Sequence, residues 1–483
     1  MNKYILTYAV TVLLFSPVTT NGQFTYTTNA DNTLTITGYT GPGGAVTIPT
    51  NIAGLLVTGI GDFALAGNEF VPNNSLVSVT VPGTVTSIGF FAFGDCPSLT
   101  STTLTNGLTS IGSEAFYGCD SLTNITIPST VTNIGEYAFQ GCRGPGRVTI
   151  PFAMTSIGDY VFYGCGINNL IVPAGVTNIG RMAFAYCESL SNASMAGVTS
   201  IGTNAFYCCT NLTTVNLSGG VIGCGAFQFC SGSSGPLGEI LVSGLSNVSL
   251  GDGVASIENY AFEGDPTLQS IVIPGGVTNI GLLAFDGCFL TNVTLSDGLI
   301  SIGESAFQQC PLNSLIIPSS VTYIGPSAFY TCGNLTNLVI PASVTQIGAQ
   351  AFGYDEYLTN VFFLGNAPVQ VADQSGAFAA YPIATLYYLP GTTGWTAQFS
   401  NATNVLWNPI IQTNDGHFGV RSNQFGFNIT GTTNIPIVVE VCTNLADPVW
   451  TPLTNVLLTT GSFYFSDPQW TNYPGRFYGI GFP

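Results

Sequence analysis

The sequence repeats one short motif thirteen times after about residue 55. The motif is the hexad I-G-x-x-A-F, with small variations, and successive copies begin 21 to 35 residues apart, most of them 22 or 23. A unit of this length cannot bury its own apolar side chains, so it must stack on its neighbours to close a core. The copies begin at Ile60, Ile88, Ile111, Ile134, Ile157, Ile179, Ile201, Ile222, Ile257, Ile280, Ile302, Ile324 and Ile347.

Each unit contains an alternating stretch, a proline and a turn. Ile125, Thr126 and Ile127 alternate as in a half-buried strand, and Pro128 ends the stretch because proline cannot donate to a β-ladder. We expect these strands to form a parallel sheet with neighbours about 4.8 Å apart. One phenylalanine per unit is predicted to form the core, with Leu65 in the first position. These residues are Phe93, Phe116, Phe139, Phe162, Phe184, Phe206, Phe227, Phe262, Phe285, Phe307, Phe329 and Phe352.

The full pattern, L-x-x-[IV]-x-[IL]-P-x-x-[VL]-x-x-I-G-x-x-A-F-x-x-C, resembles the leucine-rich repeats of the bacterial BspA-like type. The resemblance covers residues 56–365. It implies a leucine-rich-repeat solenoid, mostly β, with a parallel β-sheet on one face and turns or short helical turns on the other. In function it implies recognition or adhesion at the bacterial surface. The defining positions are scaffold positions, so the resemblance supplies no catalytic, metal-ligating or cofactor-binding residue.

Composition excludes several classes of partner and site. Only 6% of the 483 residues are charged, and 24 acids against six bases give a net charge of −18. Nucleic acids and anionic membranes are held by clustered cations, so neither is an expected partner. His417 is the sole histidine, which excludes His-dependent catalytic triads and multi-His metal sites. We therefore expect no cofactor.

The amino terminus has the pattern of an export signal. Lys3 precedes an apolar run from Ile5 to Phe15, and small or polar residues follow as far as residue 22. A buried first strand is the alternative interpretation. No later stretch reaches the roughly 18 apolar residues of a membrane-spanning helix. The sequence thus predicts a secreted or cell-surface protein.

Ten of the thirteen cysteines stand three residues after a repeat phenylalanine. A small buried filler is the favoured interpretation of this position, because Asp265 and Asp355 occupy it in two other units. Disulfides between neighbouring units and a metal site are the alternatives. Cys208, Cys224 and Cys442 lie outside the pattern. The ten are Cys96, Cys119, Cys142, Cys165, Cys187, Cys209, Cys230, Cys288, Cys310 and Cys332.

The middle residue of each predicted strand should point outward. Threonine dominates this position in the first half of the chain, whereas apolar residues dominate it near the end. Exposed apolar stripes usually mark contact surfaces, so we predict a contact face there. The alternative is that the carboxy-terminal segment folds back and covers these side chains. The predicted face comprises Ile171, Val272, Ile316, Val339 and Phe362.

The repeats are flanked by other segments. Residues 23–55 predict a hairpin-like β cap, residues 366–409 a closing cap, and residues 410–483 a small antiparallel β-sandwich. The last segment is similar to a short carboxy-terminal module of exported bacterial proteins, which implies an accessory or attachment role. The long interval at residues 231–254 is either a degenerate coil or a protruding loop.

Together these features predict an exported, non-catalytic repeat protein that recognises or adheres to an extracellular protein or glycan. A structural surface or matrix component is one alternative. A polysaccharide-active enzyme is another, because a glycosidase needs only two carboxylates about 5 to 10 Å apart. Acidic side chains near the repeat turns that could supply such a pair are Glu114, Glu136, Asp159 and Glu304.

Overall fold

A computed structural model describes residues 19–21, 23–67, 71–144, 146–230, 244–370, 376–378, 384–396, 398–400, 402–473 and 475–483. The chain divides into two compact units. Unit 1 comprises Met1–Ser218 and Ala226–Leu245, and unit 2 comprises Gly219–Gly225 and Ser246–Pro483. Within the described residues, strands and turns make up both units, and the one helical segment is a 3-10 turn at Trp470–Asn472.

In unit 1 each coil contributes two strands to two parallel ladders. The short strands pair in two runs, one ending at Asn133–Ile134 and the next beginning at Ser156–Ile157, and within each run the isoleucines that open successive hexads lie side by side. These short strands are Leu55–Ile60, Ser87–Ile88, Ser110–Ile111, Asn133–Ile134, Ser156–Ile157, Asn178–Ile179 and Ser200–Ile201. The second ladder holds the alternating stretches, which are Gly44–Thr47, Leu76–Val81, Ser101–Leu104, Ile125–Thr126, Val148–Thr149, Asn169–Ile171, Asn192–Met195 and Thr214–Ile222.

Unit 2 repeats this arrangement. Its alternating strands are Asn247–Ile257, Ser270–Ile273, Asn292–Leu295, Asn337–Ile340, Asn360–Phe363, Thr385–Tyr388 and Ala402–Leu406. Its short strands are Asn279–Ile280, Ser301–Ile302, Tyr323–Ile324, Gln346–Ile347 and Val369–Gln370. The predicted solenoid of stacked coils, with a parallel sheet on one face and turns on the other, is thereby confirmed within each unit.

The repeat phenylalanines form the core of both units. In unit 1 their rings stack from Phe93 to Phe227 with centroids 5.0 to 5.5 Å apart. In unit 2 they stack from Phe262 to Phe352, and Phe378 continues the stack 5.3 Å further on. All twelve predicted phenylalanines are fully buried. Because each ring is covered by the coils on both sides, the repeat spacing directly determines the core.

The cysteine position lies beside this stack. Nine of the ten thiols donate a hydrogen bond to the carbonyl of the phenylalanine one coil earlier, as Cys165 does to Phe139 at 2.9 Å and Cys332 does to Phe307 at 3.2 Å. The tenth, Cys96, donates to the carbonyl of Leu65, which holds the phenylalanine position in the first coil. All thirteen cysteines lie in the described residues, and none of them forms a disulfide. Burial raises the pKa of eight of these thiols, that of Cys187 to about 12. The favoured interpretation of this position as a buried filler is confirmed, with a hydrogen bond added.

The parallel ladders extend into both predicted caps. Phe24–Thr28 and Leu34–Tyr39 form the expected antiparallel hairpin, but Leu34–Tyr39 also pairs in parallel with Leu55–Ile60, and Gly44–Thr47 pairs in parallel with Leu76–Val81. In the closing cap, Thr385–Tyr388 and Ala402–Leu406 add two further parallel strands, and Gln398–Phe399 pairs antiparallel with the second of them. The remaining short strand of the amino-terminal region is Asn51–Ile52.

Two predicted segments fall largely outside the described residues. Of the export signal at residues 1–22, the structure describes Thr19–Asn21, which pairs antiparallel with Phe24–Thr28. Of the interval at residues 231–254, residues 231–243 lie outside the description. The rest contributes to the strand Asn247–Ile257, which contains the stretch Val248 to Leu250 that a degenerate coil would supply.

The carboxy-terminal segment forms two antiparallel sheets, as predicted. One contains Ile410–Gln412, Gly419–Arg421, Gln424–Thr430 and Ser462–Asp467, and the other contains Pro436–Cys442, Thr451–Leu457 and Phe477–Gly481. Arg476 has a structural role, since its guanidinium lies 2.6 Å from Asp467 and 4.4 Å from the centre of the Tyr473 ring. Tyr478 donates to the same carboxylate at 2.7 Å.

Candidate functional site

The outward side chains of the alternating strands form a surface that we call the sheet face. Side chains two residues apart on a strand point the same way, so each strand presents two columns. Pairing sets Ile171 beside Ser194 in unit 1 and Val272 beside Thr294 in unit 2. The predicted register of the middle residues is thus confirmed for these strands.

Three residues of the predicted contact face lie open on the sheet face. Ile171 is 56% exposed, Val272 is 57% exposed and Ile316 is 81% exposed. The segment around Ile316 is not assigned as a strand, but Leu315 and Ile317 on either side of it are buried, so inward and outward side chains alternate there as they do in the neighbouring strands. An aliphatic side chain this exposed contributes little to folding, so these residues are available for contact with a partner.

For Phe362 the predicted exposure is wrong. Its side chain is fully buried, and its ring lies 4.8 Å from Tyr387, 6.4 Å from Trp407 and 4.6 Å from Phe482 between ring centres. Val339, one strand earlier, is partly buried against the same cluster. The physical reason is that the carboxy-terminal segment packs over this end of the sheet face, the alternative that the sequence left open.

The cluster that covers Phe362 joins the last coils of unit 2 to the antiparallel sheets. It includes Phe427, Ile437 and Val439 from those sheets. Trp407 anchors the junction, because its indole N–H donates to the carbonyl of Pro436 at 2.9 Å. The sheet face of unit 2 therefore has a covered end and an open end.

One coil of unit 1 carries two exposed side chains that sequence reasoning missed. Arg147 stands where the neighbouring coils have Asn124 and Asn169, and Phe152 stands where they have Ser129 and Ala174. Phe152 is 86% exposed and Arg147 is also exposed. Alignment of the coils shows both substitutions, but they lie outside the middle position of the strand, where the contact face was predicted.

Acidic side chains at the third position of the hexad hold the turns together. The carboxylate of Asp159 accepts the backbone N–H of Arg181 at 2.7 Å, and that of Asp62 accepts the N–H of Phe90 at 2.8 Å, in each case one coil later. Asn259 does the same for Leu282. These contacts give Asp159, one of the acids considered for catalysis, a structural role.

The other acids considered for catalysis, Glu114, Glu136 and Glu304, also lie in the repeat turns. Burial raises the pKa of Glu114, and the negative charge of Asp95 adds to the effect. The backbone N–H of Glu114 donates to the carbonyl of Glu136 at 2.9 Å, and the N–H of Leu283 donates to that of Glu304 at the same distance. These bonds belong to the ladder that links one turn to the next.

Two buried aspartates occupy the cysteine position. Asp265 and Asp355 are both fully buried. Neither carboxyl oxygen of Asp355 has a hydrogen-bond partner of standard geometry. Burial raises the pKa of Asp355 to about 7, an effect partly offset by the backbone N–H of Cys332. In the coil that follows Asp265, burial and the charge of Glu263 likewise raise the pKa of Asp286 to about 6.

Neither a metal centre nor a membrane helix is found in the part of the chain that the structure describes. No three His, Cys, Asp or Glu side chains there come close enough together to hold a metal ion. No helix there has the length and apolarity needed to cross a membrane.

Stacked coils with short parallel strands, a buried phenylalanine column and an outward polar face define a leucine-rich-repeat protein. The sequence profile described as "BspA type Leucine rich repeat region", in six copies, matches residues 65–191, 109–234 and 244–374. These matches cover more than half of the chain. The chain therefore belongs to the BspA-type leucine-rich repeat family, and membership supports a non-catalytic repeat protein.

Solved structures of bacterial repeat proteins are similar to this chain. A leucine-rich cell surface protein from Faecalibacterium prausnitzii is 28% identical over 72% of this chain and 89% of its own, with a TM-score of 0.38. A leucine-rich repeat protein from Bacteroides ovatus is 22% identical over 81% of this chain and 100% of its own, with a TM-score of 0.48. The Treponema pallidum leucine-rich repeat protein is 29% identical over 44% and 89%, with a TM-score of 0.33. No curated protein matches the sequence.

Proposed function

We propose that this protein is exported and uses the open sheet face to recognise an extracellular protein or glycan. The observation that carries the proposal is the exposure of Ile316 and Val272 beside a covered Phe362 in the same column. Where the carboxy-terminal sheets cover this column, its apolar residues are buried. Where nothing in the described residues covers it, apolar side chains still project outward, which favours a partner.

The polar part of the sheet face suits recognition through uncharged groups. Asparagine recurs two residues before the middle position, at Asn292, Asn337 and Asn360, and the amide of Asn360 donates to that of Asn337 at 2.8 Å. Carboxamides both donate and accept hydrogen bonds, so this column can satisfy peptide groups or sugar hydroxyls. Family membership supports the surface location.

A binding assay on residues 23–483 tests the proposal. Glycan and protein arrays would be probed with the wild-type chain and with the variants Val272→Asp and Ile316→Asp, both of which place a charge on the open face. Tyr357→Asp is the matched control, because Tyr357 is 59% exposed and lies in a turn, not on the sheet face. We expect saturable binding that the two sheet-face variants reduce about tenfold or more and the control does not.

The alternative of a structural surface component predicts a different result. Such a protein would have no saturable ligand and would associate with itself through the apolar residues of the sheet face. Sedimentation velocity distinguishes the two functions, since self-association that disappears in Ile316→Asp supports the structural component. Array binding that survives the Val272→Asp/Ile316→Asp double variant would rule out the open face as the recognition surface.

A further inference from the structure

The coil that carries Arg147 and Phe152 differs from both of its neighbours on the sheet face of unit 1. The strands align without a gap, from Asn124 to Ser129 in one coil and from Arg147 to Phe152 in the next. Backbone pairing confirms this register, because Ile125 lies opposite Val148 and Thr126 opposite Thr149. Arg147 and Phe152 therefore replace the small or polar residues of the neighbouring coils at two exposed positions. The packing of the coils does not require either replacement.

Arg147 and Phe152 line the same groove. It has a volume of about 170 Å³, and Ile171 and Pro173 of the next coil form the rest of its apolar wall. A second depression adjoins it on the other side of Arg147 and is lined by Asn124, Asn168 and Asn169, together with Gly146. The guanidinium thus stands between an apolar depression and one lined with carboxamides.

Gly146 contributes to this relief because no side chain fits at its position. A Cβ atom there would collide with the backbone carbonyl of Thr123 in the preceding coil. The N–H of Gly146 donates to the carbonyl of Gly166 in the following coil at 3.0 Å, so the close approach is held from both sides. The shape of the depression beside Arg147 is therefore determined by the close packing of backbone atoms.

Charge distinguishes the groove from the rest of the molecule. The chain carries a net charge of −18, yet the alternating strands of unit 1 contain no aspartate or glutamate. Arg147 is the one cation in or next to those strands, and neither of the two ion pairs found in the described residues involves it. An exposed guanidinium on an acid-free surface attracts a carboxylate, which it binds through two parallel hydrogen bonds.

We infer that this groove binds an acidic peptide segment of an extracellular partner protein. A carboxylate of the peptide pairs with Arg147, and an apolar side chain next to it packs between Phe152 and Ile171. Backbone groups of the peptide bond to the carboxamides of Asn124 and Asn169. The inference rests on the proposed function and adds a ligand class and a location within unit 1.

The apolar wall favours a peptide over an acidic polysaccharide. Beside Phe152 the groove offers Ile171 and Pro173, and aliphatic groups of this kind pack well against a Leu, Ile or Val side chain. A sugar ring carries hydroxyls around its edge and needs a polar partner for each one that is buried. Apart from Arg147, which pairs with the carboxylate, only the side chains of Thr149 and Asn169 supply such groups in the apolar depression.

The test is selection of peptides by the whole mature chain. A phage-displayed library of random dodecapeptides is panned against residues 23–483, and against the Arg147→Asn/Phe152→Ser double variant in parallel. Each single variant restores the residue of the preceding coil, so both should fold. Enriched peptides are synthesised with a fluorescent label, and their Kd is measured by anisotropy. Arg143→Asn is the control, since it removes the same charge from an exposed arginine that lies outside the groove.

We expect the wild-type chain to enrich peptides with Asp or Glu close to an apolar residue. Their Kd should rise about tenfold or more in Arg147→Asn and in Phe152→Ser and should stay within about twofold in Arg143→Asn. No enrichment over the double variant would overturn the inference. So would binding of polygalacturonate that is lost in Arg147→Asn while no peptide binds. The proposed function would survive either result if Val272→Asp and Ile316→Asp still abolish array binding.

Discussion

In unit 2 two columns of side chains run along the coils, and they change in different ways. The outward column contains the middle residue of each alternating segment, and the cysteine column contains the residue three positions after each repeat phenylalanine. The outward column is apolar at Val272, Ile316, Val339 and Phe362, with Thr294 between the first two, but its surroundings change from open to fully buried. The cysteine column keeps its buried surroundings throughout, but its residue changes from Asp265 through three cysteines to Asp355. The surroundings of the cysteine column therefore depend on the stacking of adjacent coils, whereas the surroundings of the outward column depend on a segment that is distant in the sequence.

The largest expected effect comes from placing the same charge at two positions of the outward column. Phe362→Asp should lower the free energy of unfolding by about 4 kcal/mol or more, because it removes a buried ring and leaves a carboxylate inside the cluster with Trp407 and Phe482. Ile316→Asp should change it by less than about 0.5 kcal/mol, because that side chain is solvated. Urea denaturation followed by tryptophan fluorescence measures both.

Equal destabilisation by these two variants would remove the distinction between a covered and an open end. Phe362→Leu is the companion variant, since it keeps the position apolar and should cost clearly less than Phe362→Asp if burial in the cluster is the cause.

A second prediction concerns the cysteine column and pH. The pKa of Asp355 is raised by burial to about 7, well above the value of about 3.9 expected in the unfolded chain. The folded state therefore holds this proton more tightly, so the contribution of Asp355 to stability is best below about pH 4. That contribution falls as the pH rises to about 7 and is constant above it. The cost above pH 7 is on the order of 4 kcal/mol, from 1.36 kcal/mol per pKa unit.

Asp355→Cys tests this cost directly. The variant places a thiol where Cys332 and Cys310 already donate to phenylalanine carbonyls one coil earlier. We expect it to be more stable than the wild type at pH 8, and the difference to shrink towards pH 4. Urea midpoints measured across this range check the prediction, and a difference that does not depend on pH would contradict it. Asp286 titrates in both proteins, so its effect cancels in the comparison.

The smallest expected effect concerns the eighth residue counted from the start of each hexad. This position has a positive φ in adjacent coils, +70° at Gly287 and +62° at Gln309. A side chain is strained in this conformation, and glycine is not. Gln309→Gly should therefore raise the free energy of unfolding by about 0.5 kcal/mol, and Gly287→Ala should lower it by about 1 kcal/mol. Opposite signs in thermal denaturation support the explanation; a loss in both would show that Gln309 makes contacts that outweigh the strain.

The inner architecture could be predicted because every coil sees the same neighbours. Isoleucine at the start of the hexad, phenylalanine at its end and cysteine three residues later each repeat an environment supplied by adjacent coils, so spacing alone placed them. The register of Ile171 and Val272 followed from strand alternation for the same reason.

The burial and the surface groups of the outward face could not be predicted in the same way, because they depend on contacts that do not repeat from coil to coil. Burial of Phe362 requires Phe482, 120 positions later in the chain, and no local pattern indicates that the two rings meet. The strand Thr385–Tyr388 and the ring of Phe378 continue the ladders without the hexad, so the sequence placed them in a cap. Arg147 and Phe152 were visible only as deviations, which a search for the repeat averages away.

Burial of the thiols has a chemical consequence for the folding of the chain. Oxidation and disulfide exchange proceed through the thiolate, and a sulfur whose pKa lies near 12, as at Cys187, is almost never ionised at neutral pH. Burial thereby protects the eight thiols of the cysteine column whose pKa it raises, whereas all ten sulfurs of the column are open to oxidants in an unfolded chain. Folding before exposure to an oxidant should therefore keep these sulfurs reduced, and oxidation of the unfolded chain should allow cross-links to form.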